Sequence, residues 1–294
     1  MSKLLEQIRK GRILVSDGAW GTFLHKKGLK PGECPELWNV ERSGDIFDIA
    51  RSYVVAGADM IETNSFGGNC FKLANYGLED RVYELNKSAA EISKRAAGSE
   101  IFVLGSVGPT GKMLITEEVT TAELYEAFKE QSIALEAGGA DAIVIETMTD
   151  LEEARIAVKA ASENTSCEVI CTMTFDKDPG TGFHTMMGVS PEEMTRTLVE
   201  AGASIIGANC GNGIADMIDI VKDIREFNTD IPVLIHANAG MPVYSNGETT
   251  FPESPELMAG RVKEIIEAGT NIIGGCCGTT PEHIAEIRRV VRSL

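Results

Sequence analysis

The sequence has no excess of basic residues. Its 27 lysines and arginines stand against 44 aspartates and glutamates, a formal net charge of −17. That balance excludes nucleic acid and anionic membranes as partners, because both require a positive face. No apolar run approaches the roughly 20 residues of a membrane span. The opening Met1-Ser2-Lys3-Leu4-Leu5-Glu6-Gln7 is charged and lacks an apolar export core. Nor is there an even set of cysteines: there are seven, two of them adjacent. This suits a reduced cytoplasmic setting and metal ligation better than a disulfide framework. A dinucleotide-binding G-x-G-x-x-G is absent, Asp17-Gly18-Ala19-Trp20-Gly21 standing where it would fall. No Pro-, Ser- or Gly-rich linker divides the chain, so residues 1–294 are read as one domain.

What is present is a repeated unit. Eight short apolar runs, Arg12–Gly18, Ala58–Asn64, Ile101–Val107, Asp141–Thr147, Val169–Phe175, Ile205–Asn209, Val233–Asn238 and Asn271–Gly275, alternate with helical patterns. Continuous apolar strands separated by helices imply a parallel sheet covered on its outer face. Eight such units predict an α/β fold, a single-domain (β/α)8 TIM barrel, with an extra helix at 3–10 closing its bottom. A doubly wound sheet is the alternative; it would need fewer units and a phosphate loop after the first strand. Ala56-Gly57-Ala58-Asp59, Gly138-Gly139-Ala140-Asp141, Ala201-Gly202-Ala203-Ser204 and Ala268-Gly269-Thr270-Asn271 mark recurrent helix-to-strand turns. The long irregular stretches near 20–44, 177–190 and 239–253 all follow strands. They therefore fall on the C-terminal face, where barrel active sites sit.

Three cysteines converge on that face. Cys210 ends the sixth run, and Cys276-Cys277 end the eighth between Gly274-Gly275 and Gly278. Neighbouring strand residues point to opposite faces, so adjacent thiols share one metal only where the strand breaks. Glycines supply that freedom. Three thiolates would fill three of four tetrahedral positions on Zn²⁺ and leave one open, the mark of a catalytic zinc. A donor set of charge −3 makes such a zinc a poor hydroxide generator and a good holder of a further thiolate. A substrate thiol there would ionise near neutral pH and stay nucleophilic, which suits thiol alkylation. Cys34, Cys70, Cys167 and Cys171 lack this setting, and Cys171 reads as core. His236 reads as a satisfied barrel-mouth histidine rather than a ligand.

Asp17-Gly18, Glu62-Thr63-Asn64-Ser65-Phe66, Gly108-Pro109 and Glu146-Thr147 follow the first four strands. With Asn209-Cys210, Asn238-Ala239-Gly240-Met241-Pro242 and Gly274 to Pro281, they form a series. The series resembles the homocysteine S-methyltransferase family across nearly the whole chain. The Gly-Gly-Cys-Cys-Gly-Thr-Thr-Pro-Glu-His segment is similar to the homocysteine-binding module of the cobalamin-dependent methionine synthase branch. So is the Asn238 loop, running on to Asn246-Gly247 and Pro252. Gly278, where other branches often carry arginine, points the same way.

The resemblance implies that 1–294 is a homocysteine-binding (β/α)8 barrel domain with Cys210, Cys276 and Cys277 as zinc ligands. It implies that Asp17 and Glu146 receive the substrate's ammonium and that the backbone at Gly18 and Ala19 receives its carboxylate. A zwitterion needs both an acceptor and donors. Glu62 and Asn209 join the substrate-binding set by motif, and Asn238 is a fourth zinc ligand in the absence of substrate. The chain carries no Asp-x-His-x-x-Gly corrinoid signature, and Phe183-His184-Thr185 does not supply one. The methyl group is therefore expected from methylcobalamin or another methylcorrinoid on a separate protein. S-methylmethionine, S-adenosylmethionine or betaine are the alternative donors, and another small thiol is the alternative acceptor. Two rival readings are a phosphate-binding barrel lyase and a corrinoid-protein scaffold with a closed structural zinc. The first lacks a strand-end lysine, and the second lacks a fourth cysteine near the other three.

Overall fold

The eight apolar runs form eight parallel strands. These are Leu14–Val15 (β1), Met60–Glu62 (β2), Phe102–Val107 (β3), Ala142–Met148 (β4), Glu168–Met173 (β5), Ile205–Gly213 (β6), Val233–Asn238 (β7) and Ile272–Gly275 (β8). The computed structural model describes residues 3–245 and 248–294. Asn246-Gly247 lie outside the described residues. Each strand lies beside its sequence neighbours, and β1 pairs with β8 through Leu14 to Ile272 and Val15 to Ile273. The result is a nearly closed barrel surrounded by helices, as the alternation predicts.

The remaining seam, between β1 and β2, is joined by two carboxylates. Toward the bottom, the Asp59 N–H donates to the Val15 carbonyl at 2.7 Å. The Val15 N–H in turn donates to Asp59 Oδ2 at 2.9 Å. Toward the mouth, the Glu62 N–H donates to Asp17 Oδ2 at 2.8 Å. Side chains thus supplement a single backbone bond across the seam, and β1 and β2 are shorter than their apolar runs.

The barrel interior is packed. Leu14, Met60, Leu104, Val144, Ile170, Ile205, Leu234 and Ile272 form one buried cluster with Leu4 and Ile8 of the helix Lys3–Arg9. That helix is the bottom plug expected at 3–10. A larger apolar layer lies between the strands and the outer helices. Helix starts follow their local chemistry. Thr120 and Ser190 form capping boxes with Glu123 and Glu193, and proline occupies the first turn after Ser190, Ser254 and Thr280.

The long stretches after strands carry structure that hydrophobic spacing does not reveal. Helices Gly21–Lys26 and Trp38–Glu41 lie within 20–44. Hairpins form from Asp176–Asp178 with Gly182–His184 and from Val243–Ser245 with Glu248–Thr250. The segment after β7 is broken at Gly260 and Arg261 into Pro255–Ala259 and Val262–Glu267.

Candidate active site

Two strands break where they reach the mouth. The β4–β5 register shifts between Ile145 and Met148, and the β6–β7 register shifts between Asn209 and Gly213. At these breaks Thr147 (φ 61°) and Cys210 (φ 57°) adopt left-handed backbone conformations. Such conformations are uncommon for residues other than glycine and cluster at functional sites. On the other side, β8 ends at Gly275, so Cys276 and Cys277 lie just beyond the ladder. The Cys276 N–H donates to the Ala237 carbonyl at 2.7 Å, and the Ala239 N–H donates to the Cys277 carbonyl at 3.0 Å. Gly278 follows with φ 82°, and a Cβ there would meet the Phe251 ring. The turn that brings both thiols to one side therefore has no room for a side chain at 278.

The geometry unites the three expected sulfurs. The Cys210 and Cys277 Sγ atoms are 3.8 Å apart, and all three lie within 4.8 Å of one another. Hydrogen bonds from Cys276 and Cys277 push the Cys210 thiol down to about 3. Hydrogen bonding to Cys210 pushes Cys277 up to about 11 and holds Cys276 well above the usual thiol range. The Asn238 side chain adds to the lowering of the Cys210 thiol, and its buried Oδ1 has no hydrogen-bond partner. No fourth His, Cys, Asp or Glu joins the group among the described residues.

This donor set fits zinc. Tetrahedral coordination at a Zn–S distance of about 2.3 Å places sulfurs about 3.8 Å apart, and Cys210 and Cys277 stand at 3.8 Å. Three soft donors would leave one tetrahedral position for a further ligand.

A cavity of about 330 Å³ opens beside the thiols, lined by Gly18, Trp20, Glu62, Phe66, Glu146 and His236 among others. That volume suits a small molecule. Asp17, Glu62 and Glu146 are all buried, and of these Glu62 and Glu146 line the cavity while Asp17 does not. Asp17 Oδ2 also accepts from Trp20 Nε1 at 2.9 Å, and Glu146 Oε1 accepts from Ser106 Oγ at 2.5 Å. Burial pushes all three carboxyls upward, with like-charge repulsion from Asp17 on Glu62 and from Glu62, then Asp17, on Glu146. No lysine or arginine pairs with any of the three among the described residues. His236 is the one basic group paired with them, its Nδ1 3.3 Å from Glu62 Oε1.

His236 differs from expectation. It is a buried barrel-mouth histidine, but its Nε2 has no hydrogen-bond partner and Glu62 Oε1 lacks one as well. Burial pushes its pKa down, so the neutral imidazole is favoured.

Other expected groups already have partners within the chain. The Asn209 Oδ1 accepts from the Thr147 N–H and Thr172 Oγ1, both at 2.7 Å. Its Nδ2 donates to Thr147 Oγ1 at 2.7 Å and to Glu146 Oε2 at 3.3 Å, and lies 4.0 Å from Cys276 Sγ. Asn209 thus ties both broken strands to the thiols. Of the two amides expected to meet a carboxylate, that of Ala19 donates to Thr279 Oγ1 at 3.0 Å. Thr279 Oγ1 also donates to the Cys276 carbonyl at 2.8 Å. Ser106, Thr172 and Thr279 were not singled out from the sequence. Only Thr279, inside the Gly-Thr-Thr-Pro segment, carried a local signal.

Residues 14–291 match the homocysteine S-methyltransferase family. Methionine synthase from Mycobacterium tuberculosis (strain ATCC 25618 / H37Rv) is 34% identical over 302 residues, covering 96% of this chain. Methionine synthase from Mycobacterium leprae (strain TN) is 31% identical over 314 residues, covering 98% of this chain. The chain spans 25% of the length of each of these relatives. Among solved structures, the metallated form of the homocysteine methyltransferase MmuM from Escherichia coli superposes with a TM-score of 0.80 at 22% identity. It covers 97% of this chain and 99% of that one, a likeness of fold.

Proposed function

The chain belongs to the homocysteine S-methyltransferase family, and from that membership we propose that it methylates homocysteine to methionine with Cys210, Cys276 and Cys277 as zinc ligands. The observation that carries this reading is the convergence of three sulfurs within 4.8 Å beside a carboxylate-lined cavity. Zinc, when bound, would supply the Lewis acidity that ionises a substrate thiol near neutral pH.

The chain's own residues do the rest. Residues 1–294 act as one homocysteine-binding barrel. Asp17 and Glu146 receive the α-ammonium, and Glu62 stands beside them with a free oxygen. The strand-one loop at Gly18 and Ala19 receives the carboxylate. The amide of Ala19 already has an intramolecular acceptor, so Gly18 carries the larger part. Asn209 holds Glu146 and Thr147 in register with Cys276. Asn238, whose buried side-chain oxygen is unpartnered, would be the neutral fourth donor before substrate arrives. The substrate sulfur would attack the methyl carbon, forming the S–C bond as the bond to the carrier breaks and the carrier departs with the electron pair, and the uncharged thioether product then leaves.

The donor in this proposal is a methylcorrinoid, methylcobalamin or a relative, on a separate protein. Exposed apolar side chains on loops after the strands support a macromolecular carrier: Phe66 (41% exposed), Ile115 (76%), Met186 (77%), Met241 (56%) and Tyr244 (76%). Isolated exposed apolar residues are ordinary, but several on one functional face suit a docking surface. Among the described residues no helix is long and apolar enough to cross a membrane. The free cysteines suit the reducing cytoplasm, where we place the protein.

The test is metal content followed by a thiol titration. One zinc per chain, with about one proton released per homocysteine bound, is the expected result. Methionine formed from methylcobalamin but not from S-methylmethionine, S-adenosylmethionine or betaine supports the corrinoid donor, and the reverse assigns one of those instead. No zinc under reducing conditions overturns the reading.

A further inference from the structure

Two neighbouring residues at the end of β4, Glu146 and Thr147, both line the cavity. An unbroken strand would turn them to opposite faces. The left-handed backbone at Thr147 (φ 61°), where the β4–β5 register shifts, brings them to one side. A β-branched residue is a poor occupant of that conformation, and glycine would hold it without strain. Strain of this kind clusters at functional sites, where the side chain it places is put to use.

Asn209 fixes which part of the Thr147 side chain is left free. The Thr147 N–H can only donate, and it donates to Asn209 Oδ1 at 2.7 Å. The amide is thereby oriented with Nδ2 toward Thr147 Oγ1, to which it donates at 2.7 Å. The hydroxyl oxygen is the acceptor in that bond, so its own hydrogen remains. Among the described residues no group of the chain accepts it. Ser106, on the adjoining strand, instead gives its hydrogen to Glu146. The same Asn209 Nδ2 lies 4.0 Å from Cys276 Sγ. The half-buried Thr147 hydroxyl therefore stands one amide group from the thiols.

A spare donor at the edge of the thiol cluster calls for an anionic atom. The substrate's ammonium cannot supply one, and its carboxylate is placed at the strand-one loop. Its sulfur, once ionised beside Cys276, is the anionic atom that remains. We propose that Thr147 donates a hydrogen bond to the ionised sulfur of the substrate and so orients it for attack on the methyl carbon. This rests on the homocysteine reading above and adds a residue to it. Engaging one sulfur lone pair restricts rotation about the terminal C–S bond, so each bound molecule presents the same face to the mouth. The methylated product is an uncharged thioether and a weaker acceptor, so the bond favours substrate over product.

The experiment measures binding by calorimetry to the metal-loaded chain. The ligands are homocysteine and 2-aminopentanoate, which has a methyl group in place of the thiol. Thr147→Val keeps the branched shape and removes the hydroxyl. It should weaken homocysteine binding by about tenfold, the usual worth of one hydrogen bond to a charged group. It should leave 2-aminopentanoate unchanged, and Thr147→Ser should restore most of the loss. A merely structural role would move both ligands alike, because Asn209 also holds Glu146 at the amine end. If Thr147→Val does not fold, Thr147→Ala against Thr147→Ser makes the same comparison, since they differ only in the hydroxyl. Equal weakening of both ligands, weakening of neither, or a serine variant as weak as the valine one overturns the assignment to Thr147. A wild-type chain that binds homocysteine no more tightly than 2-aminopentanoate overturns the thiol reading itself.

Discussion

Buried carboxylates stand at both ends of the seam between β1 and β2, and the chain treats them in opposite ways. At the bottom, Asp59 is paired with Arg12 at 2.6 Å and with both terminal nitrogens of Arg288, at 2.7 and 3.0 Å. At the mouth, Glu62 and Glu146 line the cavity, buried Asp17 accepts from the Glu62 N–H, and the three have only His236 as a basic neighbour among the described residues. Both ends use a carboxylate to supplement the bonding across the seam. Only the bottom one has its charge neutralised within the chain. Compensation marks architecture, and its lack marks a place where a ligand supplies what the fold withholds.

The sharpest way to break this comparison is at the mouth. Cys210→Ala removes one of three sulfurs and should reduce bound zinc from about one per chain to nearly none, since affinity falls steeply when a ligand is lost. Methyl transfer should disappear with it, while the far-ultraviolet circular dichroism of the barrel stays unchanged. Metal content and activity assayed on one preparation check this. A variant that kept full zinc would remove Cys210 from the site.

The second change is at the bottom. Asp59→Ala leaves the partly buried Arg288 guanidinium without its partner and removes the acceptor of the Val15 N–H. Breaking a buried pair in this way costs about 3 kcal/mol or more, read as a lower denaturation midpoint in urea. Zinc bound per folded chain should not change, because no residue of this cluster lines the cavity. Loss of zinc at full stability would mean that the two ends are not separable.

The same contrast shows what could be read in advance. The barrel was legible because eight apolar runs alternate with helical spacing, and the thiols were legible because Cys276-Cys277 stand between glycines. The seam was not. Nothing local to Asp59 or Asp17 states that its side chain bonds across the seam, since that depends on which strands fail to pair across the barrel. Cys210 and Thr147 take left-handed backbone angles that sequence reasoning assigns first to glycine. Ser106, Thr172 and His236 each look like an unremarkable residue within a strand. They become an inward-facing polar layer only when the register of eight strands is known. Asn209 was chosen by motif, but its several partners lie about 60 residues away in the chain or nearly 40.

The third change concerns pH. Glu62 and Glu146 are raised by burial above their ordinary 4.5. The folded chain therefore holds protons that the unfolded chain has released. Stability from this source is fully present below pH 4.5, the unfolded value, and is lost as pH rises through the folded values. Glu62→Gln with Glu146→Gln should flatten that decline in the ligand-free chain, by less than the Asp59 change, while weakening homocysteine binding. Melting temperatures at a series of pH values, compared with wild type, test the sign. An unchanged slope would mean that the mouth carboxyls are compensated after all.

The smallest change sits where the two halves of the mouth touch. Thr279 Oγ1 accepts from the Ala19 N–H and donates to the Cys276 carbonyl, so one hydroxyl joins the loop after β1 to the cysteine turn. Gly18 is held close by the same group, since a Cβ there would lie 2.6 Å from Thr279 Oγ1. Thr279→Val keeps the shape and removes both bonds, at a cost of about 1 kcal/mol. Zinc should be retained, because no ligand is touched. Homocysteine affinity should change little, since the proposed carboxylate site rests on Gly18 rather than Ala19. If affinity instead rises in Thr279→Val, the freed Ala19 amide has become a better receptor. Thr279 would then be a brake on binding as well as a strut, and the compensated-versus-uncompensated rule would extend from charges to single backbone donors.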